Sequence, residues 1–214
     1  MSRTLSNILV DANSYLDLDA ALPEGDDLAV RTSYAQQAVR EWADAARWKA
    51  LTVPANLFIT NATISLQSNF KELETIPVDV NKNRYPEILP KDRIYKESSD
   101  KYVYIEGNEA TGFVLTVNGL TSSLVSLSIV LQRNPSNMAT LADICEVPDD
   151  MYVVQKVISL VLQSRSDERF PIVDADAQRR LANMIGRDMV QTPGGDMKVR
   201  RVRAATWRIG RSRG

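Results

Sequence analysis

WADAARWKALTVPANLFIT, residues 42–60, is where the chain changes its period. Upstream, Leu28, Ala35, Ala38, Val39, Trp42, Ala45 and Ala46 recur at steps of three and four, the spacing of one helix face. Asp26 and Asp27 stand where acids favour a helix start, so the pattern predicts a helix from there to near Ala50. Downstream of Leu51 the apolar residues alternate instead. NLFIT, ATISL, IPVDV, KYVYIEG, GFVLTV and SLVSLSIVLQ all read as strands, rich in Val, Ile, Leu and Tyr. Phe113, Leu115 and Val117 alternate with Val114 and Thr116. Likewise Val125, Leu127, Ile129 and Leu131 alternate with Ser126, Ser128 and Val130. Asn118-Gly119 suits a tight turn between those two strands. GNEATG (107–112) reads as a hairpin loop; it lacks the Lys-Ser/Thr ending of a phosphate-binding loop. Residues 81–100 are long, polar and Pro-containing, and read as a surface loop with a short extended piece.

The helical period then returns. Pro148, Asp149 and Asp150 suit a first turn, and Met151, Val154, Val157, Ile158 and Val161 form a stripe that Leu160 and Leu162 widen. A further helix is predicted with Asp174 as N-cap and Ala177, Leu181, Met184, Ile185 and Met189 on its apolar face; TPGG (192–195) stops it. The expected class is α+β: a helical framework, one N-terminal and two C-terminal helices, carrying an inserted antiparallel β-sandwich or barrel. The expected divisions are an extended N-terminal arm (1–25), a helical domain (26–50 and 138–192), the β insertion (51–137) and a basic C-terminal arm (193–214). Trp42 and Trp48 read as core or subunit-contact anchors, with a base-stacking platform as the sharper alternative.

Composition narrows the chemistry. The 214 residues are 44% hydrophobic and 25% charged, the balance of a soluble globular protein. No apolar run reaches the ~20 residues a membrane span needs, and Arg3 followed by ILV (8–10) does not look like a signal peptide. With Cys145 the one cysteine, no internal disulfide is possible. There is no histidine, so the chain alone cannot build a Ser-His-Asp or Cys-His site or a Cys/His zinc centre. No convergent catalytic motif appears, and neither an enzyme activity nor a cofactor is expected. SRSDERFP (164–171) is the one dense charge cluster between apolar segments. Because Pro171 disfavours helix at Phe170, the cluster reads as a helix–helix joint. Asp167 and Glu168 are expected to pair with Arg165 and Arg169, locally or across a subunit boundary, with a catalytic carboxylate pair as the lesser alternative.

Charge is unevenly spread. The last 21 residues hold seven basic side chains against Asp196, a balance of +6, while the other 193 hold 19 basic against 26 acidic, or −7. Within that basic end, Val199, Val202, Ala204, Ala205, Trp207 and Ile209 interleave with the charges.

Several stretches together resemble the head-to-tail adaptor (connector, neck) proteins of tailed bacteriophages. AVREWADAARWKAL looks like the first long adaptor helix, and YPEILP with KYVYIEGNEATGFVLTVNGL like the β module of phage neck proteins. LQRNPSNMATLADICEVPDDMYVV looks like the return to the helical part, and SRSDERFPIVDADAQRRLANMIGRDM like the two C-terminal helices. The resemblance implies a virion protein of the neck, between capsid portal and tail, present in the host cytoplasm during assembly. It implies copies of itself in a ring, a dodecamer, around the DNA channel, with the portal protein on one side and a tail, nozzle or tail-terminator protein on the other, and no membrane. It also implies an arm that inserts into the portal. Lys198, Val199, Arg200, Arg201, Val202, Arg203, Trp207, Arg208, Ile209 and Arg211 lie where that arm should be. A solvated basic end and non-specific contact with channel DNA remain alternatives for the segment. For the whole chain, the alternatives are a non-specific nucleic-acid-binding protein and a receptor- or glycan-binding β module using Tyr102 and Tyr104.

Overall fold

The computed structural model describes residues 3–17, 19–120 and 124–190. The fold is α+β: among the described residues four helices form one body and an antiparallel curled sheet forms another. The helices are α1 (Leu5–Asp17), α2 (Gly25–Ala45), α3 (Asp150–Ser164) and α4 (Phe170–Val190). Helix α3 lies at the centre and touches α1, α2 and α4. That position explains its burial nearly all round, from Tyr152 and Val153 to Val161 and Leu162.

Helix α1 corrects the expected extended arm. The Asn, Asp and Ser of LSNILVDANSYLD suggest coil, yet Leu5, Ile8, Leu9, Ala12 and Leu16 fall at helical spacing and are buried against the other helices. Tertiary packing overrides the weak local propensity. The second correction is at α4, which begins at Phe170 and not after Asp174. Pro171 falls in its first turn, where the missing N–H has no intrahelical partner to lose. Helix α2 likewise ends at Ala45, before the expected Ala50; a 3-10 turn, Lys49–Leu51, follows Trp48.

The strands are β1 (Thr52–Thr60), β2 (Thr63–Leu66), β3 (Phe70–Leu73), β4 (Val78–Asp79), β5 (Tyr102–Asn108), β6 (Gly112–Asn118) and β7 (Leu124–Arg133). Their order is β3-β7-β1-β2-β6-β5, with β4 also on β7. Residues 84–88 link the far edges: Arg84 bridges Val78, Glu87 bridges Val103, and Ile88 N–H donates to the Val103 carbonyl. Backbone bonding thus runs round the curl, which leaves few open edges. Ile59, Tyr85, Val103, Leu115 and Leu127 fill its interior, and Phe70 meets Phe113 edge-on at 5.3 Å. The expected hairpin between β6 and β7 does not form, since neither strand pairs with the other. Asn118 instead donates its side-chain amide to the Asp100 carbonyl at 2.7 Å, beside Gly119 at φ +75°. GNEATG does close the β5–β6 hairpin.

Two tryptophans join helix to sheet. Trp42 and Trp48 are buried and stacked at 5.0 Å, and Trp48 Nε1 donates to the Trp42 carbonyl at 2.6 Å. Gln132, in β7, donates to the Trp48 carbonyl at 3.2 Å. Ion pairs Arg47–Glu72 at 3.0 Å, Lys71–Asp44 at 2.5 Å and Arg133–Glu146 at 3.0 Å tie the same boundary.

Candidate assembly sites: the helix joint, the buried lysine and the cleft

The joint is built from backbone chemistry first. Ser166 adopts φ +53°, its N–H bonding the Gln163 carbonyl while the Asp167 N–H bonds that of Leu162. That is the left-handed Schellman ending of a helix, with serine where glycine is usual. The Asp167 carboxylate then accepts the Arg169 backbone N–H at 2.8 Å, and the Phe170 N–H bonds the Asp167 carbonyl. The chain has reversed and α4 begins.

The joint's charges are partly paired as expected. Asp167 takes a two-point bond from Arg169, at 3.0 and 2.9 Å. These bonds, with help from the Arg169 N–H, hold its carboxyl down at about 2. Arg165, however, forms its ion pair with Asp17 of α1, at 3.1 Å, and not with Asp167. Glu168 is exposed and pairs with neither arginine.

Asp17 is the hub of a network that the joint only touches. Arg31 of α2, nearly fully buried, donates to Asp17 at 2.8 Å and also to Asn13, with Asp27 at 3.4 Å. Asn13 in turn donates to the Ala21 carbonyl at 2.9 Å. The Arg31 bond is the largest influence lowering the Asp17 pKa, and it outweighs the upward push of burial.

A second network centres on Lys156. Its ammonium lies 3.0 Å from Asp174 of α4 and 3.3 Å from Glu41 of α2, and the Ser159 hydroxyl also donates to Asp174 at 3.0 Å. Burial pulls the lysine pKa down, but the two carboxylates together raise it, so the amine stays protonated and is no nucleophile at neutral pH. The buried Tyr152 hydroxyl, whose pKa is raised by burial and then by Glu41 and Asp174, has no hydrogen-bond partner among the described residues. Arg180 adds an α4–α3 tie, to Asp149 at 3.0 Å and Gln155 at 2.8 Å.

Between the helical body and the sheet lies a cleft of about 920 Å³. Gln36, Arg40, Asp44, Asn69, Glu109 and Asn137 line it, a polar surface suited to hydrogen bonding. Cys145 is buried, and burial pushes its thiol up to about 11, which keeps it protonated. Among the described residues no group of three or more His, Cys, Asp or Glu could hold a metal, and no helix is long and apolar enough to cross a membrane.

Sequence reasoning missed Asp17, Arg31, Glu41 and Lys156. A signal existed for two of them. Arg31 falls between Leu28 and Ala35 on the predicted apolar face, and Lys156 interrupts the apolar run of α3. The arm residues Lys198, Val199, Arg200, Arg201, Val202, Arg203, Trp207, Arg208, Ile209 and Arg211 lie outside the described residues. No protein-family model matches the chain, and no curated protein matches it either.

Proposed function

We propose that this chain is a structural adaptor of a phage neck: copies assemble into a ring between portal and tail, and the basic C-terminal segment docks on the portal. The observation that carries this reading is the division of labour by charge. In the body, buried charges tie helix to helix, as Arg31 does with Asp17 and Lys156 with Glu41 and Asp174. The last 21 residues carry +6 with apolar side chains set between the charges, next to a body of −7. A segment that only neutralised DNA would not need Val199, Val202, Trp207 and Ile209; a groove in an acidic protein partner would use both kinds. Ring repetition would multiply weak arm contacts through avidity.

The test is deletion of 196–214. The body should keep its melting temperature, while the truncated chain should no longer join DNA-filled heads, leaving particles without tails. Normal joining and infectious particles would end the reading. The strong positive charge also favours a second reading, non-specific binding of nucleic acid. In that case the full-length chain should bind DNA alone, with affinity falling steeply as salt rises, and the deletion should abolish that binding.

A further inference from the structure

Asn118-Gly119 is the one Asn-Gly pair in the chain, and the fold demands both halves of it. Gly119 holds φ +75°, and a Cβ there would sit 2.7 Å from the Asp100 carbonyl oxygen, so no other residue fits without a shift of backbone. Asn118 ends β6 in register with Tyr102 of β5, and its side-chain amide reaches the turn that precedes β5. It donates to the carbonyls of Asp100 at 2.7 Å and Ser98 at 3.1 Å, with that of Glu97 at 3.5 Å. The turn is closed twice: the Asp100 N–H bonds the Glu97 carbonyl at 3.1 Å, and the Asp100 carboxylate accepts the Glu97 N–H at 3.1 Å. Carbonyl oxygens converging on one group accept only a donor, which is why the amide is required.

The same two residues form a chemically labile pair. Asparagine is a thermolabile side chain, and a following glycine puts no Cβ in the way of the reaction. The Gly119 backbone nitrogen attacks Asn118 Cγ, the Cγ–Nδ2 bond breaks, and the amide nitrogen leaves as ammonia with the proton of the Gly119 N–H. Water then opens the five-membered imide at either carbonyl and leaves aspartate or isoaspartate. Ring closure needs the Gly119 nitrogen to swing towards Cγ. The extended backbone at the end of β6 turns it away, and the turn's carbonyls hold the side-chain amide where it is.

We propose that Asn118 is a modification site: protected while the 97–100 turn grips its amide, deamidated when that turn opens, and unable afterwards to take the turn back. The product carries a carboxylate where the amide donated, so oxygen faces oxygen at Asp100 and Ser98 and the turn loses its anchor on the sheet. Local opening exposes the pair, and the product prevents closing, so the step runs one way. The chemistry needs neither a ring nor a portal, only water.

The test incubates the full chain at mildly alkaline pH, in native buffer and in urea, and follows Asn118 by peptide mass spectrometry. Conversion in native buffer should be at least on the order of tenfold slower than in urea, because the open turn is a minor state. Asp100→Ala removes the turn's second closure; it should speed conversion in native buffer and leave the rate in urea unchanged. Asn118→Asp, a stand-in for one product, should show faster amide hydrogen exchange over 97–103 than wild type, with circular dichroism checking the fold. The same exchange measurement on wild type converted by long incubation needs no variant at all. Equal rates in native buffer and in urea, or no conversion in either, would overturn the site. A wild-type rate for Asp100→Ala would take the gating away from the turn, and unchanged exchange over 97–103 in the converted chain would show that the product keeps the anchor; either result would overturn the lock.

Discussion

The guanidinium of Arg31 lies 2.8 Å from the carboxylate of Asp17, and the same carboxylate receives Arg165 at 3.1 Å, so one exposed-edge aspartate holds three helices. The arginine is the buried member, with 2% of its side chain exposed against 38% for Asp17. Removing either end therefore has different consequences.

Arg31→Ala leaves Asn13 without its charged donor and opens a hole between α1 and α2. We expect a loss of about 2–3 kcal/mol in urea unfolding, from the cavity and the lost bonds, since the carboxylate left behind is partly exposed and keeps Arg165. Arg31→Lys should recover only part, because one ammonium cannot reach Asn13, Asp17 and Asp27 in the same geometry. Equal stability of Arg31→Ala and wild type would remove the network from the list of stabilising features.

Acid should act through the same carboxylate. The Asp17 pKa is lowered in the folded chain from an ordinary value of 3.8. Its contribution is thus complete above that value and is lost as pH falls through the lower, folded one. Asp17→Asn should be less stable than wild type near neutrality, and the gap should narrow as pH falls below the ordinary 3.8. Chemical denaturation at a series of pH values measures the gap.

At the joint, the two acids should separate. Glu168→Ala should leave the unfolding midpoint unchanged, while Asp167→Ala should lower it modestly by removing the bonds to Arg169 and its N–H. Ser166→Gly should raise stability by about 0.5–1 kcal/mol, since the residue sits at φ +53° where a side chain is strained. A lower midpoint for the glycine variant would contradict the left-handed ending of α3.

Tyr152→Phe tests the orphaned hydroxyl. Burying an unpartnered O–H costs free energy, so its removal should be neutral or stabilising by up to about 1 kcal/mol. A clear loss of stability would mean that the hydroxyl has a partner in the working protein.

Periodic patterns made most of the elements readable. The changes of period near Leu51 and again after Asn134 placed the sheet between helices, and the alternation of Leu115, Val117, Leu127 and Ile129 named its interior. What stayed hidden depended on long-range partners. FKEL carries two charges in four residues and forms β3 only because β7 offers it an edge. Helix α1 shows little local preference and gains its order from α3. IPVDV, read as a strand, does hold the short β4, but the 84–88 link means nothing until the sheet curls round to meet it. Among the candidate site residues, the Asp167–Arg169 pair was legible because both groups are local. Arg165 finds its acid 148 positions away, a distance that no spacing rule spans.

The strands by which the chain leaves and rejoins the helical body are neighbours: Thr52 of β1 pairs with Gln132 of β7. To the helices, the roughly eighty residues between are a closed bracket whose two ends sit within a strand spacing of each other. Such a bracket behaves as a cassette. It could be exchanged for another module, or for a short turn, without changing the span that the helices must bridge. Divergence in that module can therefore retune what the outer surface meets while α1–α4 keep their packing.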